Sequence, residues 1–312
     1  SGQVLEKIVP EIADLIGGSA DLSGSNKTQP KGVEIIDRDN FKGQYIHYGV
    51  REHGMAAAMN GMALHGGVIP YGGTFLIFSD YCKPSIRLAA LMRQQSIFVL
   101  SHDSIGVGED GPTHQPIEHL AGLRAIPNLQ VIRPCDGIET AEAWELALNK
   151  KDWPTAIILS RQGLPSLRHD LESPDTNLSG YGAYEIKNSS NIEEPVCVLM
   201  ASGSEVHIAL EAREELEKHD IPTRVISVPC FEKFMEQDQP YKDRILNTEG
   251  AIYVGIEAAA RFGWDQLIGQ KGLFIGMDGF GESAPAPELY NYFGITAEAI
   301  VKQVTDRMQT TL

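Results

Sequence analysis

Two stretches of the 312-residue chain concentrate groups able to do chemistry. The first, Tyr45–Tyr81, sets one carboxylate, Glu52, at the head of an Ala/Met-rich apolar run, followed by Phe75, Phe78 and Tyr81 at three-residue intervals. A carboxylate leading into so apolar a run has few water partners, so its neutral form gains and its pKa is expected to rise. Such an acid could serve a ring nitrogen as hydrogen-bond donor. The second stretch, Leu100–Glu118, gathers His102, Asp103, Glu109, Asp110 and His114 in a glycine-rich run after an apolar segment. Metal binding is one reading of that density. The spacing matches no recurring metal motif, however, and the glycines suit close backbone approach to an organic ligand, so no metal site is expected.

Alternating strands and helices must position these groups. Short β-branched or aromatic runs at Tyr45–Tyr48, Val68–Tyr71, Ile97–Ser101, Gln130–Arg133 and Thr155–Ser160 are separated by helical patterns at Arg51–His65, Thr74–Gln95 and Ile138–Asn149. Pro84 is expected to kink or divide the second of these helices. The first 18 residues read as an amphipathic helix with Val4, Leu5, Ile8, Ile12 and Leu15 on one face. The run Arg161–Gly182 is polar and rich in Gly, Pro and Ser, as a linker would be. Beyond it, strand-like runs at Val196–Ala201, Arg224–Val228, Ala251–Ile256 and Phe274–Met277 resume the alternation, with a closing helix near Ala297–Met308. The expected fold class is α/β: two consecutive α/β/α sandwich domains, the first with a doubly wound parallel sheet, the second smaller with a mostly parallel mixed sheet. Their expected bounds are 1–165 and 183–312, joined by a linker at 166–182. In such sheets ligands sit at the carboxyl ends of the strands, where the Leu100–Glu118 run must lie. Gly203-Ser204-Glu205 opens a helix after a strand, as an anion site or, more simply, as a cap.

A formal charge of -16 opposes phosphate-backbone binding, so nucleic acid is not an expected partner. Any anionic substrate needs a local basic pocket. Cys82, Cys135, Cys197 and Cys230 show no paired spacing and read as buried reduced thiols of a cytoplasmic protein. No signal peptide or membrane-spanning run is read, and the abrupt start suggests a piece of something longer.

Five ordered motifs, GGSADLSGSN (Gly17–Asn26), YGVREHGM (Tyr48–Met55), PYGGTFLIFSDY (Pro70–Tyr81), HDSIGVGEDGPTHQP (His102–Pro116) and SRQGLP (Ser160–Pro165), closely resemble the thiamine-diphosphate enzyme transketolase. The resemblance continues through ASGSEV and GESAPAPELYNYFGIT. It covers the family's pyrimidine-binding and C-terminal domains. The family's amino-terminal domain, which holds the diphosphate and its Mg²⁺ or Ca²⁺, has no counterpart here, and no Gly-Asp…Asn run of the metal-diphosphate kind is present.

The resemblance implies transfer of a two-carbon ketol unit between sugar phosphates of the pentose phosphate pathway. It makes Glu52 the acid that hydrogen-bonds the aminopyrimidine ring nitrogen, from which the cofactor's own nitrogen becomes the base for the thiazolium carbon. It places Phe78 on the aminopyrimidine, Phe75 and Tyr81 in the pocket wall, and Asp21 beside the cofactor. By the same resemblance Ser25, His102 and Arg161 hold phosphate, Asp110 a sugar hydroxyl, and His114 stands near the reacting centre. Gly24 and Gly163 replace a proline and an asparagine common in the family, and a further phosphate-binding arginine would precede residue 1. The chain is thus expected to offer half a cofactor site, to be inactive alone, and to form a homodimer and engage a diphosphate-binding domain. In this half-site the Glu52 carboxyl, open to water, is expected to titrate ordinarily, with the raised pKa reserved for the assembled enzyme.

Taken singly, each residue has a structural explanation. Glu52 can favour a helix start, the aromatic trio can be a core stripe, Asp21 a turn residue, Arg161 a surface ion-pair partner and His102 a cap. Two other functional readings are the β subunit of a 2-oxo acid dehydrogenase, against which GGSADL and GEDGPTHQP argue, and a non-catalytic binding module of the same fold.

Overall fold

In the computed structural model, which describes residues 1–168, 176–191 and 195–311, two parallel-rich sheets follow one another. Residues 169–175 of the expected linker, and 192–194 and 312 of the expected second domain, lie outside the described residues.

The first sheet holds β1 (Leu15–Ser19), β2 (Tyr45–His47), β3 (Ile69–Phe75), β4 (Ile97–Ser101), β5 (Gln130–Ile132) and β6 (Thr155–Leu159). Their order is β2-β1-β3-β4-β6-β5, parallel throughout. The accompanying helices are α1 (Gly2–Ile8), α2 (Ser23–Asn26), α3 (Glu52–His65), α4 (Ser79–Leu91), α5 (His119–Arg124) and α6 (Gly137–Asn149). Central strand β4 shows why both faces are covered. Phe98 and Leu100 join a core with Met55, Ile86 and Leu120, whereas Ile97 and Val99 join one with Leu5, Ala143 and Trp144. Side chains alternate between the faces of a strand, so one covered on both sides must be apolar throughout, as IFVL is. On β3 the backbone itself meets a helix: a Cβ at Gly72 would fall 2.5 Å from the Met59 sulfur and 2.9 Å from that of Met55, so glycine lets α3 sit close against the strand.

Three local expectations change. The first helix ends at Ile8: Val9 keeps helical angles, with φ of -62° and ψ of -42°, but Pro10 after it has no N–H to continue the ladder, and Leu15 opens β1 instead of continuing a helical face. Helix α4 runs through Pro84; the carbonyl its ring deprives of a partner belongs to Asp80, an exposed first-turn residue where water can substitute. Phe75 closes β3, Phe78 precedes α4 and only Tyr81 is helical, so the three-residue spacing of the aromatics is not a helix face.

The second sheet holds β7 (Tyr184–Lys187), β8 (Cys197–Ala201), β9 (Thr223–Ser227), β10 (Ile252–Ile256) and β11 (Leu273–Ile275), in the order β11-β10-β8-β9-β7. All pairings are parallel except β7 against β9. Its helices are α7 (Glu205–Lys218), α8 (Phe231–Met235), α9 (Gln239–Leu246), α10 (Asp265–Ile268), α11 (Ala286–Tyr292) and α12 (Ala297–Thr311). Ala209, Leu216, Ile300 and Val304 cover one face of this sheet, and Phe234, Ile245 and Leu267 the other. The two sheet units share core: Ile105, Ile117 and Cys135 belong to the second unit's cluster, and Cys230 to the first's. No helix among the described residues is long and apolar enough to cross a membrane.

Candidate active site

The ten residues singled out from sequence all follow carboxyl ends of strands in the first sheet, or end one. Asp21 and Ser25 follow β1, Glu52 follows β2, and Phe75, Phe78 and Tyr81 end or follow β3. His102, Asp110 and His114 follow β4, and Arg161 follows β6. The chain leaves β1 toward β2 on one side and returns to β3 on the other, so β1 and β3 flank the topological switch point where such sheets open a crevice.

Four rings stack across this edge. His102 lies 3.7 Å from Phe75 at an interplanar angle of 18°; Phe75 lies 5.6 Å from Phe78 at 8°, and Phe78 5.8 Å from Tyr81 at 17°. His114 meets Phe78 edge-on at 5.5 Å. The stack runs from buried His102 to Tyr81, which is 64% exposed, so it presents aromatic faces to an incoming flat ring.

His102 is held from both sides. Its backbone is left-handed, with φ of 61°, a conformation costly for a non-glycine residue and sustained only by firm surroundings. On one side Ser101 Oγ is 2.8 Å from His102 Nδ1 and accepts a hydrogen bond of 2.7 Å from buried Asn26 Nδ2, which also donates to the Thr74 carbonyl at 3.1 Å. On the other side Asp103 pairs at 2.9 Å with fully buried Arg133. Burial, reinforced by the Arg161 charge and opposed by Asp110, brings the imidazole down to about 4. The same interactions place Arg161, Asp110 and His114 within electrostatic reach of the ring, and all three are more open to solvent than His102.

Glu52 is the first residue of α3 and only 8% exposed, yet its carboxylate has no hydrogen-bond or ion-pair partner among the described residues. It approaches the aromatic stack through Cys82: burial and then the Glu52 charge push that thiol up to about 12, and Cys82 Sγ lies 3.9 Å from the Phe78 carbonyl, to which it donates. No hydrogen bond or ion pair among the described residues joins Asp21, Ser25 or Glu52 directly to the His102 group. Asp21, with φ of 65°, precedes α2, and Ser25 stands next to Asn26 at the end of that helix.

The second unit braces the same loop. Gln115 Nε2 donates to the Gly108 carbonyl at 2.8 Å and to that of Glu282 at 2.9 Å, and Ser283 Oγ donates to the Glu109 carbonyl at 2.6 Å. Arg133 donates to Glu205 Oε2 at 2.5 Å and to the Ser202 carbonyl at 2.7 Å, and Tyr290 OH donates to Glu205 Oε1 at 2.8 Å. This displaces both readings of Gly203-Ser204-Glu205. Ser204 makes no side-chain cap on α7, and the place of an anion is taken by a cation, the Arg133 guanidinium. Asn26, Ser101 and Arg133 escape sequence reading because a buried polar residue declares its partners only once the chain is folded; the SADLSGSN motif held Asn26 in view without giving it a task.

Asp80, Glu118 and His119 form an acid-histidine trio beside the stack. Buried His119 turns Nε2 toward Asp80 at 3.1 Å and Nδ1 toward Glu118 at 3.7 Å, and one ligand atom from each of the three lies within 4.8 Å of the others, a spacing that could hold a metal ion. A cavity of about 520 Å³ lies between Glu282, Glu288 and Tyr292 in the second unit, and none of the ten residues lines it.

The fold is that of an α/β enzyme class built on parallel sheets, and the chain belongs to the transketolase family. The family model of the transketolase pyrimidine-binding domain matches residues 1–166, and that of the transketolase-like C-terminal domain residues 182–296. The chain is 56% identical over 293 residues to a transketolase of Cereibacter sphaeroides, covering 94% of this chain and 44% of that protein. It is 46% identical over 304 residues to one of Bacillus subtilis, covering 97% and 45%. The chain thus spans less than half the length of these relatives. Among solved structures it is similar to the transketolase of Leishmania mexicana, with TM-score 0.89 and 42% identity over 98% of this chain and 45% of that one. It is also similar to that of Pichia stipitis in complex with sedoheptulose-7-phosphate, with TM-score 0.91 and 39% identity over 98% and 44%. A split-gene transketolase, solved as an inactive β4 tetramer, shares the fold with TM-score 0.80 at 22% identity over 98% of this chain and 95% of that one.

Proposed function

We propose that this chain is the pyrimidine-binding and C-terminal part of a transketolase, or one subunit of a split one, that moves a two-carbon ketol unit between sugar phosphates. Its units are a pyrimidine-binding domain at 1–165, a linker at 166–182 and a C-terminal domain at 183–312. The observation that carries the reading is Glu52: a nearly buried carboxylate without a partner among the described residues, next to a graded aromatic stack at the switch point. Those features fit the aminopyrimidine half of thiamine diphosphate, with Glu52 for a ring nitrogen, Phe78, Phe75 and Tyr81 for the ring face, and Asp21 at the rim. When bound, the cofactor supplies the carbon nucleophile. The protein's share is to hold a proton at Glu52 and to exclude water from it.

On the substrate side Arg161 and Ser25 bind phosphate together with His102, Asp110 takes a sugar hydroxyl, and His114 orders the reacting centre. A guanidinium suits this task because its planar fork can donate two parallel hydrogen bonds to a phosphate. The diphosphate and its Mg²⁺ or Ca²⁺ would be held by a separate amino-terminal domain, so the isolated chain is inactive. Exposed Leu64 on α3, with Leu88 and Leu91 on α4, supports pairing of two copies, and four buried thiols support a cytoplasmic setting. The test is complementation with a transketolase amino-terminal domain, thiamine diphosphate and Mg²⁺. Ketol transfer from xylulose phosphate to ribose phosphate is expected; turnover of pyruvate instead would place the chain with the 2-oxo acid dehydrogenases.

A further inference from the structure

We infer that Asn26 and Ser101 are positioning residues that fix His102 as the tautomer protonated on Nε2, so that the ring offers its ligand an N–H donor and no acceptor. The inference follows from counting protons along one buried chain. Asn26 Nδ2 donates to the Thr74 carbonyl at 3.1 Å, an oxygen that can only accept, which fixes the amide orientation and points the same nitrogen at Ser101. The Nδ2 group can only donate, so Ser101 Oγ receives its hydrogen bond there. The Ser101 hydroxyl proton then needs an acceptor, and the remaining neighbour is His102 Nδ1 at 2.8 Å. A hydroxyl that donates to Nδ1 requires that nitrogen to be unprotonated, leaving the proton of a neutral imidazole on Nε2. Turning the ring over would set a carbon against Ser101 and strand its proton in a buried place, and the Phe75 stack at 3.7 Å restrains the ring plane.

Neutrality has its own cause: burial and the nearby Arg161 charge hold the imidazole at about 4, against the pull of Asp110, so at pH 7 it carries one proton. The ring at this strand end is therefore selective. It serves an oxygen with lone pairs to give, as a phosphoryl oxygen has, and rejects a group that must donate. A charged histidine would add Coulomb attraction beside Arg161 but also like-charge repulsion. The neutral tautomer contributes direction without that repulsion.

The consequence for substrate rests on the transketolase reading, whereas the tautomer does not. The nitrogen-15 spectrum of the imidazoles in this chain at pH 7, with His102 assigned by the loss of its signals in His102→Asn, should show Nε2 protonated and Nδ1 bare. Ser101→Ala should let the other tautomer appear, and Ser101→Thr, which keeps the hydroxyl, should restore the original spectrum. In the complemented enzyme, Ser101→Ala should raise KM for a phosphorylated acceptor about tenfold, the equivalent of one hydrogen bond, with kcat nearly kept. KM for an unphosphorylated acceptor aldehyde should not change. A bare Nε2 in the wild type, or an equal rise in KM for both acceptors, would overturn the inference. Absence of ketol transfer by the complemented wild type would overturn only the functional reading, because the nitrogen spectrum decides the tautomer by itself.

Discussion

The ring of Phe75, last residue of β3, and that of His102, first residue beyond β4, lie 3.7 Å apart with their planes 18° from parallel. Because Phe75 and Ser101 are register partners, the stack joins two adjacent strand ends. It also joins the two halves of the proposed site, since Phe75 continues into the wall for the cofactor ring and His102 into the group for substrate phosphate.

Removing that ring should affect the histidine it covers. Phe75→Ala should cost about 3 kcal/mol in urea unfolding, as for other buried aromatic truncations. With water admitted, the His102 titration should move up from about 4 toward its ordinary 6.5. Proton NMR of the imidazole checks this; a titration midpoint left near 4 would assign the depression to the Arg161 charge instead.

Arg133 ties the site loop to the second unit through Asp103 on one side and Glu205 on the other. Arg133→Met should destabilise the chain by about 3–5 kcal/mol, because two buried carboxylates lose their counter-charge. Urea unfolding followed by tryptophan fluorescence reads this directly, and a loss under about 1 kcal/mol would contradict it.

Stability should fall on acidification, in two windows. His102, brought down to about 4, binds less proton folded than unfolded between there and 6.5, so its contribution is complete above 6.5 and lost as pH falls toward 4. Burial opposes charge on Glu257, yet bidentate pairing with Arg124 at 2.8 and 2.9 Å, aided by Arg133, brings it to about 2 from 4.5. Its contribution is complete above 4.5 and lost as pH falls toward 2. Urea midpoints measured against pH should decline through both windows, and His102→Asn should flatten the upper one.

Gly182 stands where the chain enters the second unit. Its φ is 80°, and a Cβ there would fall 2.0 Å from the Phe234 amide nitrogen and 2.4 Å from the Cys230 carbonyl oxygen. Gly182→Ala should therefore cost more than about 2 kcal/mol, through both strain and collision with backbone. Thermal unfolding measures it; a variant as stable as the parent would mean that this turn can move.

Strand positions were legible in the sequence where the strands are buried on both faces: IFVLS at β4 and TAIIL at β6 cannot be mistaken for an exposed face. β1, LIGGS, was hidden by its glycines and by apolar residues that extend the spacing of α1, and β7, YEIK, by its place at a sheet edge, where only Tyr184 is buried. Of the proposed site, ordered motifs gave residues that the fold gathers at the strand ends of the first sheet. Composition could not give Asn26, Ser101 or Arg133, whose importance lies in partners far away in the chain. Nor could it give the left-handed backbone of His102, since histidine carries no sign of a positive φ as glycine does.

Glu52 is the centre of the proposed site, and proton exchange at C2 of thiamine diphosphate bound to the complemented enzyme tests it most directly. Compared by NMR with the wild type, Glu52→Gln should slow that exchange at least about a hundredfold, the loss expected on removing a positioned acid. Exchange undiminished in Glu52→Gln would contradict the assignment of Glu52 to the cofactor.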